Sequence, residues 1–196
     1  MCDAAEMFCG TGMDLDMELL LKTPEDTMEL GRMLAEAMAP SRVRALYLFA
    51  GLGGGKTTLT RGFVSALPGS ADAEVGSPSF TLCNMYPTEP EVLHADLYRL
   101  SEGASLPEEM EDALEEGDPL FILEWPEYLE ASRHAAERLD LHIMQESPEL
   151  RNFLDNSSEF DKNFRLAKIE PFGQAAIALM RELQPLLERR FSAARG

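Results

Sequence analysis

The chain has 196 residues, with 17 Lys or Arg against 35 Asp or Glu and a formal net charge of −18. A protein that holds nucleic acid tightly needs excess cations to displace the counterions on phosphate, so direct tight binding of tRNA or DNA is not expected. With 45% hydrophobic and 27% charged residues, the composition excludes a disordered, collagenous or disulfide-scaffold chain and suits one compact domain. Residues 1–13 read as a loose extension, and residues 14–196 as a single domain. The three cysteines, Cys2, Cys9 and Cys83, form no CxxC pair. Acids rather than basic residues open the chain, and no apolar run reaches membrane-spanning length, so a cytoplasmic location is expected.

Residues 14–21 alternate loosely and predict a strand. Thr23-Pro24-Glu25-Asp26 then reads as a helix start, with a Thr cap, Pro at the first helical position and an acid at the third. Leu30, Met33, Leu34, Ala37 and Met38 give that helix one apolar face. Residues 44–50 are a nearly continuous apolar run, as in a strand buried on both faces. A glycine-rich turn follows, then a helix over 56–67 that Pro68-Gly69 stops.

Further strands are predicted over 80–85, 92–97, 120–123, 139–145 and 163–169. Helical stretches are expected over 107–116 and 126–137, and a long loop or hairpin over 146–161. Residues 174–191 form an amphipathic C-terminal helix, which Pro185 should kink or restart. Strands alternating with helices predict an α/β, three-layer fold with helices on both faces of a mostly parallel sheet. Closely spaced late strands add an antiparallel edge and make the sheet mixed.

The strongest chemical signal is Ala50-Gly51-Leu52-Gly53-Gly54-Gly55-Lys56-Thr57, a P-loop pattern with Ala at its first position. Glycines let backbone N–H groups turn inward around a triphosphate, and the next helix aims its free amides and positive dipole end at the same charge. Lys56 then suits β/γ-phosphate oxygens, and the Thr57 hydroxyl suits Mg²⁺. Three other segments stand out: Ser77-Pro78-Ser79-Phe80-Thr81-Leu82, His94-Ala95-Asp96-Leu97-Tyr98-Arg99, and Leu120-Phe121-Ile122-Leu123-Glu124-Trp125-Pro126. A hydrophobic strand ending in an acid beside a P-loop suits magnesium binding or water orientation, although each acid alone also reads as a surface carboxylate and Trp125 as a core residue.

In order, spacing and wording these four segments, with Arg61-Gly62-Phe63, resemble the bacterial TsaE (YjeE) family, over about residues 19–173. Those proteins are small P-loop ATPases of threonylcarbamoyladenosine tRNA modification. The resemblance implies ATP and Mg²⁺ held at Gly53, Gly54, Gly55, Lys56, Thr57 and Thr58, with Glu124 and Asp96 as the magnesium-associated acids. It makes the Ser77 to Thr81 segment a switch-like loop beside the γ-phosphate. Thr27 and Arg165 resemble residues near the nucleotide in relatives. Partners resembling TsaD and TsaB are implied too. The chain departs from the pattern at Ala50-Gly51, where relatives carry Gly-Asp, and at Ser79, where they carry Thr.

Three functional readings follow. The first is an ATPase, with Lys56, Glu124 and Asp96 in the catalytic machinery. The second is a nucleotide-gated assembly factor with little hydrolysis of its own. Residues 101–130 hold 11 acids and no Lys or Arg, which suits a basic partner surface or simply a solvated acidic face. The third, a small-molecule kinase, usually needs a lid of arginines. Between Arg61 and Arg133 the only Lys or Arg is Arg99, so a partner would have to supply any arginine finger.

Overall fold

A computed structural model describes residues 16–100, 110, 119–145 and 164–191. The loose extension over 1–13, the loop over 146–161 and, apart from Met110, the helix over 107–116 therefore lie outside the described residues.

Seven strands form one sheet in the order β1-β7-β6-β2-β5-β4-β3. They are β1 (Met17–Leu21), β2 (Ala45–Phe49), β3 (Cys83–Tyr86), β4 (Val92–Asp96), β5 (Leu120–Glu124), β6 (Arg138–Gln145) and β7 (Arg165–Phe172). The central run β6-β2-β5-β4 is parallel. Antiparallel pairs flank it on both sides, β3 on β4 at one edge and β7 with β1 at the other.

Helix α1 (Pro24–Met38) starts as its sequence dictates. The Thr23 hydroxyl accepts from Asp26 N–H, and the Asp26 carboxylate accepts from Thr23 N–H, which together make a capping box. With α2 (Lys56–Ser65) and α3 (Gln174–Arg190) it covers one sheet face, over a core that includes Leu46, Leu48, Ile122, Leu139, Leu141 and Ile169. The opposite face buries Ala45, Tyr47, Leu93, Ala95, Phe121 and Leu123 beneath Met110 and Leu129.

Glycines bring α1 and α2 into backbone contact. A Cβ at Gly62 would lie 2.0 Å from the Met28 carbonyl oxygen, and one at Gly31 would lie 2.1 Å from that of Leu59. At the start of α3, Glu137 accepts hydrogen bonds from the backbone N–H groups of Gln174, Ala175 and Ala176 at 2.8–3.1 Å. A carboxylate at this helix end satisfies amides that have no partner within the helix.

Two expectations need correction. The helix over 126–137 is instead a pair of 3₁₀ turns, Pro126–Tyr128 and Ala131–Arg133. Trp125 enters in the left-handed region, and Leu129 and Glu130 are extended. Among residues 126–137 only Pro126 and Leu129 are fully buried apolar side chains, too few for the continuous stripe that holds a helix to a sheet. Conversely, the C-terminal helix does not restart at Pro185: α3 runs on through it. Pro185 is exposed, which leaves the carbonyl it cannot serve facing water, and the buried Leu183 and Leu187 hold both sides of it to the core. Among the described residues no helix is long and apolar enough to cross a membrane.

Candidate functional site

The loop between β2 and α2 is shaped by its glycines. Gly53 and Gly55 sit at φ +72° and +104°, a region that other residues adopt only with strain. At Gly54 a Cβ would approach the Gly51 carbonyl oxygen to 2.9 Å, closing the loop's own turn. This loop and the start of α2 line a cavity of about 230 Å³, together with Ser77, Ser79, Asp96, Glu124 and Trp125.

Lys56 opens α2 yet is only 7% exposed. Its ammonium donates to the carbonyls of Ala50 (2.8 Å) and Gly51 (3.2 Å), stands 3.9 Å from Glu124 Oε2, and lies 4.3 Å from the centre of the Trp125 ring. Burial lowers its pKa below the ordinary lysine value, while Glu124, Asp96 and Glu127 partly oppose that shift.

The two acids are neighbours because β4 and β5 run parallel with Asp96 opposite Glu124. Both are 2% exposed. Asp96 accepts from Ser79 Oγ at 2.6 Å and from Tyr98 N–H at 2.9 Å. Glu124 Oε1 accepts from His94 Nε2 at 2.9 Å. Beyond His94, the Tyr86 hydroxyl lies 3.3 Å from Nδ1 and 3.1 Å from the Gly76 carbonyl oxygen. Burial pushes the Tyr86 phenol above its ordinary pKa, so it keeps its proton at neutral pH.

The charges facing the cavity are unbalanced, with two buried carboxylates against one ammonium. A divalent cation suits that imbalance. Among the described residues no three His, Cys, Asp or Glu side chains converge to hold a metal by themselves. Magnesium does not require such a cage, since it commonly combines one or two protein oxygens with waters and substrate phosphates. Thr57, Asp96 and Glu124 are the residues that fit this role.

The sequence-derived candidates do not all converge. Gly53, Gly54, Gly55, Lys56, Thr57, Thr58, Ser77, Asp96 and Glu124 share the cavity wall. Thr27 is buried on α1 and within 3.7 Å of a Cβ built on Gly55, so helix packing places it behind the loop. Thr81 is not part of the wall, and its hydroxyl donates to Asn84 Oδ1 at 2.9 Å. Arg165 is not part of the wall either; it starts β7 opposite Gln145, whose side chain donates to the Leu52 carbonyl at 3.4 Å.

Tyr86 belongs to none of the sequence motifs, and His94 stands in one only beside Asp96. The signal available was a polar residue among apolar ones on a buried strand. Backbone strain also marks the site: Trp125, at φ +58°, follows the end of β5, and Leu82, at φ +68°, accepts from Asp96 N–H at the end of β4 at 2.9 Å.

Comparison with known proteins gives the family and the fold. The sequence model of the family "Threonylcarbamoyl adenosine biosynthesis protein TsaE" matches residues 21–153, which include every cavity-lining residue named above. The tRNA threonylcarbamoyladenosine biosynthesis protein TsaE of Rickettsia felis is 30% identical over 151 residues, 72% of this chain and 81% of that protein. The TsaE proteins of Aquifex aeolicus (38% over 89 residues) and Streptomyces coelicolor (37% over 103 residues) align with 45% and 50% of this chain. The chain spans just under two thirds of those two relatives' own lengths, 65% and 66%. The crystal structure of Bacillus subtilis YdiB shares the fold, with a TM-score of 0.64, 23% identity, and coverage of 87% of this chain and 95% of that one. With a family match running from the end of β1 past the end of β6, this chain belongs to the TsaE family.

Proposed function

We propose that this chain is a Mg²⁺-dependent ATPase of the cytoplasm that acts on the complex making N6-threonylcarbamoyladenosine in tRNA, where its hydrolysis of ATP supports repeated turnover. The observation that carries the reading is a buried lysine and two buried carboxylates facing one small cavity under a glycine-rich loop.

In this reading the N–H groups of Gly53 to Thr58 and the N-terminal end of α2 cradle the phosphates. Lys56 leaves the carbonyls of Ala50 and Gly51 for the β/γ oxygens, where its charge stabilises the transition state. Thr57, with Glu124 and Asp96 nearby, would hold magnesium, which when bound would supply further charge neutralisation on the phosphates. Asp96, already accepting from Ser79 on the neighbouring loop, is placed to orient a water, while the ring of Trp125 shields Lys56 from bulk solvent.

No arginine lines this cavity among the described residues, which favours slow turnover alone and stimulation by partners. The net charge of −18 also leaves tRNA chemistry to other subunits, resembling TsaD and TsaB. The test is ATP hydrolysis by the purified chain with and without cognate TsaD–TsaB, alongside repeated rounds of tRNA modification. Partners should raise hydrolysis well above the isolated rate, and repeated rounds should require this chain. Glu124→Ala and Asp96→Ala should lower turnover more than nucleotide binding. Modification that turns over repeatedly without the chain, or normal hydrolysis by both variants, refutes the reading. A nucleotide-gated assembly role would instead show ATP-dependent docking onto TsaD–TsaB without accelerated hydrolysis.

A further inference from the structure

Tyr86, His94 and Glu124 form a slanted row across three strands on the face that carries α2. Asn84 of β3 pairs with His94 and Tyr86 with Val92, while Ile122 of β5 pairs with His94 and Glu124 with Asp96. His94 is therefore diagonal to both Tyr86 and Glu124, a separation that long side chains bridge. The contacts close the row: 2.9 Å from His94 Nε2 to Glu124 Oε1, 3.3 Å from Nδ1 to the Tyr86 hydroxyl, and 3.1 Å from that hydroxyl to the Gly76 carbonyl. His94 is 0% exposed and Tyr86 3%, so water does not substitute for these partners.

A carboxylate only accepts, so Nε2 carries the hydrogen given to Glu124, and in the neutral ring Nδ1 is then an acceptor. The single Tyr86 proton faces two acceptors, Nδ1 and the Gly76 carbonyl. Gly76 immediately precedes Ser77-Pro78-Ser79, the loop segment whose Ser79 bonds Asp96. The loop is thus joined to both acids by separate routes, directly to Asp96 and through Tyr86 and His94 to Glu124.

We propose that Tyr86 and His94 are positioning residues that hold Glu124 Oε1 back and tie the aim of Oε2, the oxygen facing Lys56, to the seat of the 76–82 loop. The inference rests on Glu124 acting at the metal, as in the function proposed above. Groups that orient a ligating side chain typically cost about 10–100-fold in affinity or activity when lost.

The experiment uses the full chain and four variants, Tyr86→Phe, His94→Gln, His94→Asn and Glu124→Ala. Three measurements are made: ATP affinity with Mg²⁺ and with EDTA, steady-state hydrolysis, and backbone amide exchange in the ligand-free protein. Gln keeps a donor near the place of Nε2, whereas Asn reaches only as far as Nδ1. Tyr86→Phe and His94→Asn should leave EDTA affinity within about two-fold, lower the Mg²⁺ enhancement by about 10-fold with KM for Mg-ATP rising in step, and lower kcat as well. His94→Gln should recover most of that loss. In the free protein Tyr86→Phe should speed exchange at Leu82 N–H, which bonds the Pro78 carbonyl at 2.7 Å within the loop. A merely structural role would lower stability without separating the Mg²⁺ and EDTA affinities or ranking Gln above Asn. If Glu124→Ala is impaired while the Tyr86 and His94 variants behave as wild type, the inference falls and the metal role of Glu124 stands. If Glu124→Ala itself is unimpaired, the metal role falls and the inference with it.

Discussion

Gly62→Ala tests the contact that sets the back of the site. An added methyl would meet three backbone atoms of Met28, the carbonyl oxygen at 2.0 Å, the carbonyl carbon at 2.6 Å and Cα at 2.7 Å. Carbon contacts are normally about 3.5–4.0 Å, so α1 and α2 must part by about 1 Å or more. No rotamer change relieves a clash with backbone, which places the cost near the upper end of the overpacking range, about 3 kcal/mol. Alanine returns about 1 kcal/mol of helix propensity, leaving a net loss of about 2 kcal/mol. For a chain of this size that lowers Tm by about 4–8 °C. Since α2 begins at Lys56 and α1 holds Thr27 behind Gly55, ATP affinity should fall as well. Thermal melts and calorimetric titration of Gly62→Ala read both effects. Gly76→Ala, with nothing near its added Cβ, serves as the control and should melt at or slightly above wild type. A Gly62→Ala variant that melts with the wild type would refute backbone contact between the two helices.

Lys56→Ala should abolish Mg-ATP binding with the fold intact, and wild-type affinity by calorimetry would overturn the phosphate site. Burial depresses the Lys56 pKa in the free protein while bound phosphates favour the ammonium, so ATP binding should take up a proton as pH rises toward the ordinary lysine range. Affinity should weaken over the same interval, and binding enthalpies that do not vary with buffer ionisation enthalpy there would contradict this. Trp125 is the single tryptophan and lies over the Lys56 ammonium, so its emission should change at saturating Mg-ATP; unchanged emission would argue that Lys56 stays in place. Glu137→Ala leaves three first-turn amides of α3 without their acceptor and should cost about 1–2 kcal/mol in urea unfolding, whereas an unchanged midpoint would mean water replaces the carboxylate.

Much of this protein is legible in local sequence because local chemistry decides it. The Thr23–Asp26 capping box, the buried run of β2, and the glycine turn before Lys56 each depend on residues a few positions apart. Local sequence thus marks the glycine loop and the two acids that the fold brings to one cavity. The segment after Trp125 misled because its helix signals were short-range, whereas the backbone there is fixed by the left-handed Trp125 and by what Leu129 can bury on the far side of the sheet. The run through Pro185 was decided by solvent exposure on one side and core contacts on the other. Register across the sheet is also invisible to one-dimensional patterns: that Asp96 lies opposite Glu124, 28 positions along the chain, follows from parallel pairing of β4 with β5. The same pairing sets His94 between Tyr86 and Glu124, and helix packing through Gly31 and Gly62 carries Thr27 to the loop. Spacing along a chain fixes which residues a helix or strand presents on one face; which faces then meet depends on burying apolar surface and satisfying polar groups across distant segments, and only the tertiary structure resolves that competition.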